Sequence, residues 1–467
     1  MGKEKKTVVD EPIYDARVLG TPKMLVLGVQ HLFAMFGATV LVPILTGLSV
    51  TATLLFAGLA TLFMHLVTGR KVPVFLGSSF AFLGGYFSVK AAGAELGFTE
   101  PESLVYACVG VACAGLLYLV LSLICKAFGS KNVMRFFPPV VTGPIIIAIG
   151  LILAPSAINN CSANWWIAML AIVVVIVCNI WGKGMLKIVP ILMGVLVSYL
   201  VAAITGNVDF TAVKEAAWIG LPVRLENTVF SLFGASNFNV GFLISSIIMI
   251  VPIAFATMME HVGDISAIGG TIGKNLIEDP GLHRTLIGDG VGTTIAALFG
   301  APANTTYGEN TGVLVLTKVY DPKVVRIAAY FAIVLAFCPK FAELINAMPV
   351  ATIGGVSIVL YGMISAVGVR NMVENHTDFQ KSRNVIVAAV ILGLAVGINF
   401  SGYLGADITT AGNNATGAIS FMIGNMKIAL SGLAVASIVG IILNAILPGK
   451  RDEYMPNQEN SGSLGKF

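Results

Sequence analysis

Three carboxylates stand out in a chain with few charges. Glu260 follows the apolar run Val251–Met259, and Asp264 comes four residues later. On a helix that spacing puts both acids on one face. Two carboxylates brought together in a low-dielectric site repel, so one of them keeps a proton near neutral pH. The pair is a candidate proton carrier. The alternative is that Asp264 caps a helix end at a membrane boundary. Glu309 is the third acid, in the string Asn304-Thr305-Thr306-Tyr307-Gly308-Glu309-Asn310, directly ahead of another apolar run. At such a break a carboxylate accepts hydrogen bonds from ligand N–H groups, and freed backbone N–H groups donate to ligand carbonyls. The alternative there is a solvated loop acid. His31, beside Gln30, is placed to bond an acid or the broken backbone, as a structural histidine or as a proton relay. Asp289, in Gly288-Asp289-Gly290, reads as a helix-packing residue.

These groups must be carried by elements that lipid tolerates. The chain has 467 residues, of which 56% are hydrophobic and 11% charged. A soluble domain is ~25% charged, and single cores stop growing near ~250–300 residues. The sequence therefore describes a polytopic membrane protein. Its six cysteines form no C-x-x-C pair, and most sit in apolar runs as small buried hydrophobes.

A spanning helix needs ~20 apolar residues. Candidate segments are 24–45, 52–68, 78–92, 104–125, 139–154, 165–182 and 187–205, then 240–259, 285–299, 306–317, 324–338, 350–366, 384–399 and 428–446. With the N-terminus inside and the chain alternating sides, all of the 28 Lys and Arg except Lys90, Lys214, Arg224, Lys340 and Lys427 fall inside. That asymmetry fits an even number of spans with both termini cytoplasmic. The expected layout is a tail at 1–23, a first repeat at 24–205, an external connector at 206–239, a second repeat at 240–446 and a tail at 447–467. Seven is odd, so the two halves enter the membrane in opposite orientations, the inverted-repeat design of secondary transporters. The third segment of each half is short and polar. Gly77-Ser78-Ser79-Phe80-Ala81-Phe82 opens one and Asn304–Asn310 opens the other. Matching interrupted segments point to a binding site near the bilayer midplane; the alternative is two ordinary loops. The expected fold is all-α, about fourteen segments in two inverted repeats, with broken helix or strand at the third span of each.

Several chemistries have no motif here. There is no G-x-x-x-x-G-K-[ST] loop for ATP and no H-E-x-x-H or other zinc spacing. No nucleophile–base constellation marks an enzyme, and no cofactor or resident metal is expected. Asn304-Thr305-Thr306 and Asn414-Ala415-Thr416 match the glycosylation sequon, a pattern common by chance.

The run Glu309-Asn310-Thr311-Gly312-Val313-Leu314-Val315-Leu316-Thr317-Lys318 fits the signature [Q/E/P]-N-x-G-x-x-x-x-T-[R/K/G] of the nucleobase–ascorbate transporter family. Gln30-His31 matches that family's first-span motif. Phe137-Pro138-Pro139-Val140-Val141-Thr142-Gly143 and the stretch from Glu260 through Asp279-Pro280-Gly281-Leu282-His283-Arg284-Thr285 to Tyr307 are also similar. The resemblance covers residues 20–450, and Thr305-Thr306-Tyr307-Gly308-Glu309-Asn310 most resembles the bacterial uracil-transporting members. Purine members usually carry Gln in place of Glu309. Asp264 is the departure: the best-known uracil members have His there, and many purine members have Asp.

The resemblance implies a proton-coupled uracil importer of the bacterial inner membrane, with core and gate domains drawn from both repeats. It implies a homodimer in lipid, with uracil and protons as partners and no nucleic acid. Uracil would lie between the two breaks. Glu260 and Glu309 would take the ring N–H donors, and backbone N–H groups at Phe80 and near Gly308–Glu309 would meet its carbonyls. Ala38, Tyr307 and Tyr361 would pack on the ring. Glu260, Asp264, Glu309 and His31 would handle the proton. A xanthine or urate permease is the alternative within the family. An anion channel or exchanger of the same architecture is the alternative outside it, and the paired acids argue against that.

Overall fold

In lipid a backbone must satisfy its own polar groups, so the apolar stretches fold as helices. The computed structural model describes residues 11–234, 237–401, 418–423 and 426–448. The first half contributes α1 (Thr21–Thr46), α2 (Val50–Val67), α3 (Leu83–Glu95), α4 (Glu100–Phe128), α5 (Pro139–Ser162), α6 (Trp165–Ile180) and α7 (Pro190–Ile204). The second half contributes α8 (Val240–Ile272), α9 (Leu282–Leu298), α10 (Gly308–Thr317), α11 (Pro322–Ala336), α12 (Val350–Glu374), α13 (Ser382–Ser401) and α14 (Gly432–Ile446). Strand β1 (Leu76–Ser78) precedes α3 and strand β2 (Asn304–Thr306) precedes α10. A hairpin of β3 (Ala418–Ile423) and β4 (Met426–Ser431) leads into α14.

Local chemistry sets many of the boundaries. Thr99 and Glu102 form a capping box at the start of α4. Asp321 caps α11 through Lys323 N, ahead of Pro322. Gly47, at φ 87°, closes α1 in the left-handed conformation that glycine adopts at little cost.

Packing pairs repeat between the halves when seven is added to each helix number. The contact of α4 with α9 is matched by that of α11 with α2, and α1 with α11 by α8 with α4. Likewise α6 with α7 is matched by α13 with α14, and α12 with α6 by α5 with α13. Three contacts map onto themselves: α2 with α9, α5 with α12, and β1 with β2. The strands pair antiparallel, Leu76 opposite Thr306 and Ser78 opposite Asn304. This is a two-fold relation between halves of opposite orientation, the inverted repeat expected from seven segments per half. The strongest packing gathers α1, α2, α4, α8, α9 and α11 in one group, and α5, α6, α7, α12, α13 and α14 in another.

One expectation needs revision. The segment placed at 240–259 continues as helix to Ile272, with one 3-10 turn at Val251–Ile253. Glu260, His261 and Asp264 looked like the end of a span because they are polar, but they are buried or half-buried in the protein and the helix runs on. Asp264 therefore sits inside a helix and does not cap its end. The segment placed at 78–92 opens as strand with its helix from Leu83, the broken helix or strand expected at the third span. All fourteen expected segments fall on a helix or a strand–helix unit. Among the described residues, seven helices are long and apolar enough to cross a bilayer on those criteria, or eight if the bent pair Pro322–Ala336 and Pro339–Asn346 is one span.

Candidate functional site

The two broken segments meet at the centre of the first group. Leu76 N donates to Thr61 Oγ1 (2.9 Å) and Thr293 Oγ1 to Asn304 O (3.0 Å), so both strands are tied into the bundle. Tyr307 locks the crossing: its N–H donates to Phe75 O (3.0 Å) and its hydroxyl to Ser78 O (2.8 Å). Its ring fills the space left by the missing side chain of Gly77, where a Cβ would lie 2.5 Å from Tyr307 Cζ. Ser78 Oγ in turn donates to Thr39 O on α1 (2.8 Å).

Glu260 and Asp264 lie on α8, both half-buried, with the i, i+4 spacing intact. Asp264 Oδ2 accepts a hydrogen bond from Thr306 Oγ1 at 2.7 Å, which joins α8 to β2. Two residues on, Gly308 begins α10 and is exposed, close enough that a Cβ there would stand 3.5 Å from Asp264 Oδ1. The first N–H groups of α10 lack intrahelical acceptors and carry the positive end of its dipole. An acid on α8 thus borders the open start of a half-helix. Glu309 is the second residue of α10; its side chain lies outside the described residues.

His31 is fully buried and meets the broken element through Asn310. Asn310 Nδ2 donates to His31 O (3.2 Å) and lies 3.3 Å from His31 Nδ1. An amide N–H pointing at Nδ1 makes that nitrogen the acceptor and puts the ring proton on Nε2. The sequence named His31 but not its partner.

His261, one residue after Glu260, turns about 100° round the helix toward α9. Its Nδ1 lies 2.8 Å from Asp289 Oδ2, and both side chains are 0% exposed. Its Nε2 lies 3.0 Å from Thr285 Oγ1, whose own proton goes to Leu282 O (3.0 Å). The hydroxyl therefore accepts from Nε2–H. Asp289 has the packing role expected of it, with a partner that spacing alone did not reveal.

Phe80 and Tyr361 meet edge-on, with ring centroids 5.9 Å apart, where the first broken segment faces α12. Ala38, Tyr307 and Tyr361 are all buried. The site residues therefore form three clusters: Asp264 with Thr306 and Gly308, His31 with Asn310, and Phe80 with Tyr361. Thr306 and Asn310 are the hydrogen-bond partners that sequence reasoning missed, although both lie inside strings it singled out. Asn304 of the first sequon is buried in β2 and donates to Gly292 O (3.2 Å), so it is no accessible acceptor. Asn414 lies outside the described residues.

The Permease family model, that of the nucleobase–ascorbate transporters, matches residues 22–402. The chain is 38% identical over 454 residues to the uracil permease of Bacillus caldolyticus, covering 95% of this chain and 96% of that one. It is 37% identical to the uracil permease of Bacillus subtilis, covering 92% and 94%. It is 36% identical to the putative pyrimidine permease RutG of Escherichia coli, covering 92% and 91%. Among solved structures, the transmembrane domain of the cyanobacterial bicarbonate transporter BicA superposes with a TM-score of 0.55 at 16% identity, over 93% of this chain and 99% of that one. SLC26A9 gives 0.56 at 13% identity, over 82% and 64%. At such identities these two structures speak for the fold alone.

Proposed function

The chain belongs to the nucleobase–ascorbate transporter family of multi-pass membrane permeases, and from that premise we propose that it is a proton-coupled uracil importer working by alternating access. The observation that carries the reading is the Thr306–Asp264 bond. It sets the acidic face of α8 beside the open first turn of α10, the turn that bears Glu309.

Uracil is a flat imide with two N–H donors and two carbonyl acceptors. In this reading Glu260 and Glu309 accept the N–H groups, and backbone N–H groups at Phe80 and at Gly308–Glu309 meet the carbonyls. Ala38, Tyr307 and Tyr361 form the apolar wall, Tyr307 with its hydroxyl already committed to Ser78. Glu260 carries the proton, with Asp264 as its charged neighbour, and His31 holds the first turn of α10 through Asn310. The two packing groups act as core and gate, moving past each other around this site. We place the protein in the bacterial inner membrane as a homodimer with both termini cytoplasmic, in keeping with the charge asymmetry.

Asp264 is what favours a second reading, a xanthine or urate permease, since purine members often carry Asp at that place. Competition for uptake of labelled uracil separates the two. An ionised Glu309 presents acceptors only, whereas Gln presents donor and acceptor. Excess uracil should block uptake and equal xanthine should compete poorly. Equal competition by xanthine refutes the pyrimidine assignment.

A further inference from the structure

Ahead of α1 the chain crosses the ends of both helices that frame the site. Ile13 forms a parallel bridge with Val319, through Ile13 N to Lys318 O (2.8 Å) and Tyr320 N to Ile13 O (2.8 Å). Tyr14 donates its hydroxyl to Ile272 O (2.9 Å). The Tyr14 ring stands edge-on to Tyr320 at 5.6 Å, and Lys274 Nζ lies 4.8 Å from its centre. Ala16 N donates to Asp321 Oδ2 (2.8 Å), while the other oxygen of Asp321 caps α11. The chain then enters α1 at Thr21.

The carbonyls engaged are of one kind. Ile272 is the last residue of α8, and Lys318, at φ 53°, directly follows α10. Carbonyls at helix C-termini have no intrahelical donor, so the strap supplies what the two helices lack. Asp264 is eight residues before Ile272, and Glu309 is eight residues before Thr317. At 1.5 Å per residue each acid lies about 12 Å from its strapped end. At the site the Thr306–Asp264 bond ties α8 to β2, the strand that leads into α10. Together they make a frame with one cross-piece at the site and the other at the strap. The half-helix α10 is also held to α1, where Asn310 meets His31 at its first turn, and the strap holds its other end.

We propose that residues 13–16 are a positioning strap, with Tyr14 and the Ile13 backbone setting the spacing of α8 and α10 and hence the affinity for substrate. The proposal rests on the reading that these two helices flank uracil. Its chemistry is local: Tyr14→Phe removes one hydroxyl and keeps the ring contacts to Tyr320 and Lys274, and Ile13→Pro removes the N–H given to Lys318 O.

The test is labelled-uracil uptake in membrane vesicles, normalised to the amount of transporter, for wild type, both strap variants and Glu309→Gln. Loss of one hydrogen bond in the frame should raise the half-saturating uracil concentration about threefold to tenfold in Tyr14→Phe, with the maximal rate per transporter unchanged. Ile13→Pro should shift it at least as far. If abundance and maximal rate fall while half-saturation stays put, the strap serves folding only and the proposal is overturned. Unchanged kinetics in both variants overturn it as well. If Glu309→Gln transports normally, the site reading fails, and the strap result is then judged separately.

Discussion

Two neighbouring threonines in β2 give the sharpest contrast in the molecule. Thr306 Oγ1 donates to Asp264 Oδ2 at 2.7 Å, whereas the hydroxyl of Thr305, next in the strand, is buried with no partner among the described residues. Valine has threonine's shape and lacks its hydroxyl. Thr306→Val should therefore strip a charge-assisted bond from a half-buried carboxylate and cut the tie between α8 and β2. Hydrogen bonds to charged groups are worth about 1.5–3 kcal/mol, and partial exposure of Asp264 points to the lower end, about 1.5 kcal/mol or roughly tenfold in affinity. Thr305→Val removes an unsatisfied hydroxyl and should be neutral or slightly stabilising. Equilibrium binding of labelled uracil to both purified variants, with thermal unfolding in parallel, measures the difference. Equal loss in the two, or no loss in Thr306→Val, would refute the claim that this bond places the start of α10.

Gly77→Ala should open the strand crossing, since its Cβ would stand 2.5 Å from Tyr307 Cζ and 2.7 Å from Thr39 Oγ1. Overpacking of this kind costs about 1–3 kcal/mol and should remove most uracil binding. Gly84→Ala meets nothing within 4 Å among the described residues and should bind normally; similar behaviour of the two contradicts the packing argument. Asp289→Ala leaves His261 Nδ1 buried without its partner and should destabilise the purified protein by about 1–3 kcal/mol; an unchanged unfolding transition would show that the pair contributes little.

Much of this architecture is legible in the sequence because lipid makes helices of apolar runs and because seven segments per half forces inversion. The matching interruptions at Gly77–Phe82 and Asn304–Asn310 gave away the broken elements, since small, polar and β-branched residues there suit a strand crossing better than a helix. The end of α8 was not legible. Glu260, His261 and Asp264 break the hydropathy pattern, yet Asp289 and Thr306, 28 and 42 residues distant from His261 and Asp264, supply the partners that keep them inside. Hydropathy registers polarity and is blind to pairing. The same limit hid Asn310 as the partner of His31, and it made residues 13–19 look like a plain tail. Apart from Ala16 N to Asp321, their bonds to the second half run to backbone groups of Lys318, Tyr320 and Ile272, which carry no side-chain signature.

Accumulation of labelled uracil in proteoliposomes under an imposed proton gradient, with sodium replaced, tests the central claim most directly. The account predicts uptake against the uracil gradient that collapses with a protonophore, is indifferent to sodium, and is lost in Glu309→Ala. Accumulation driven by a sodium gradient at fixed pH, or undiminished in Glu309→Ala, would contradict it.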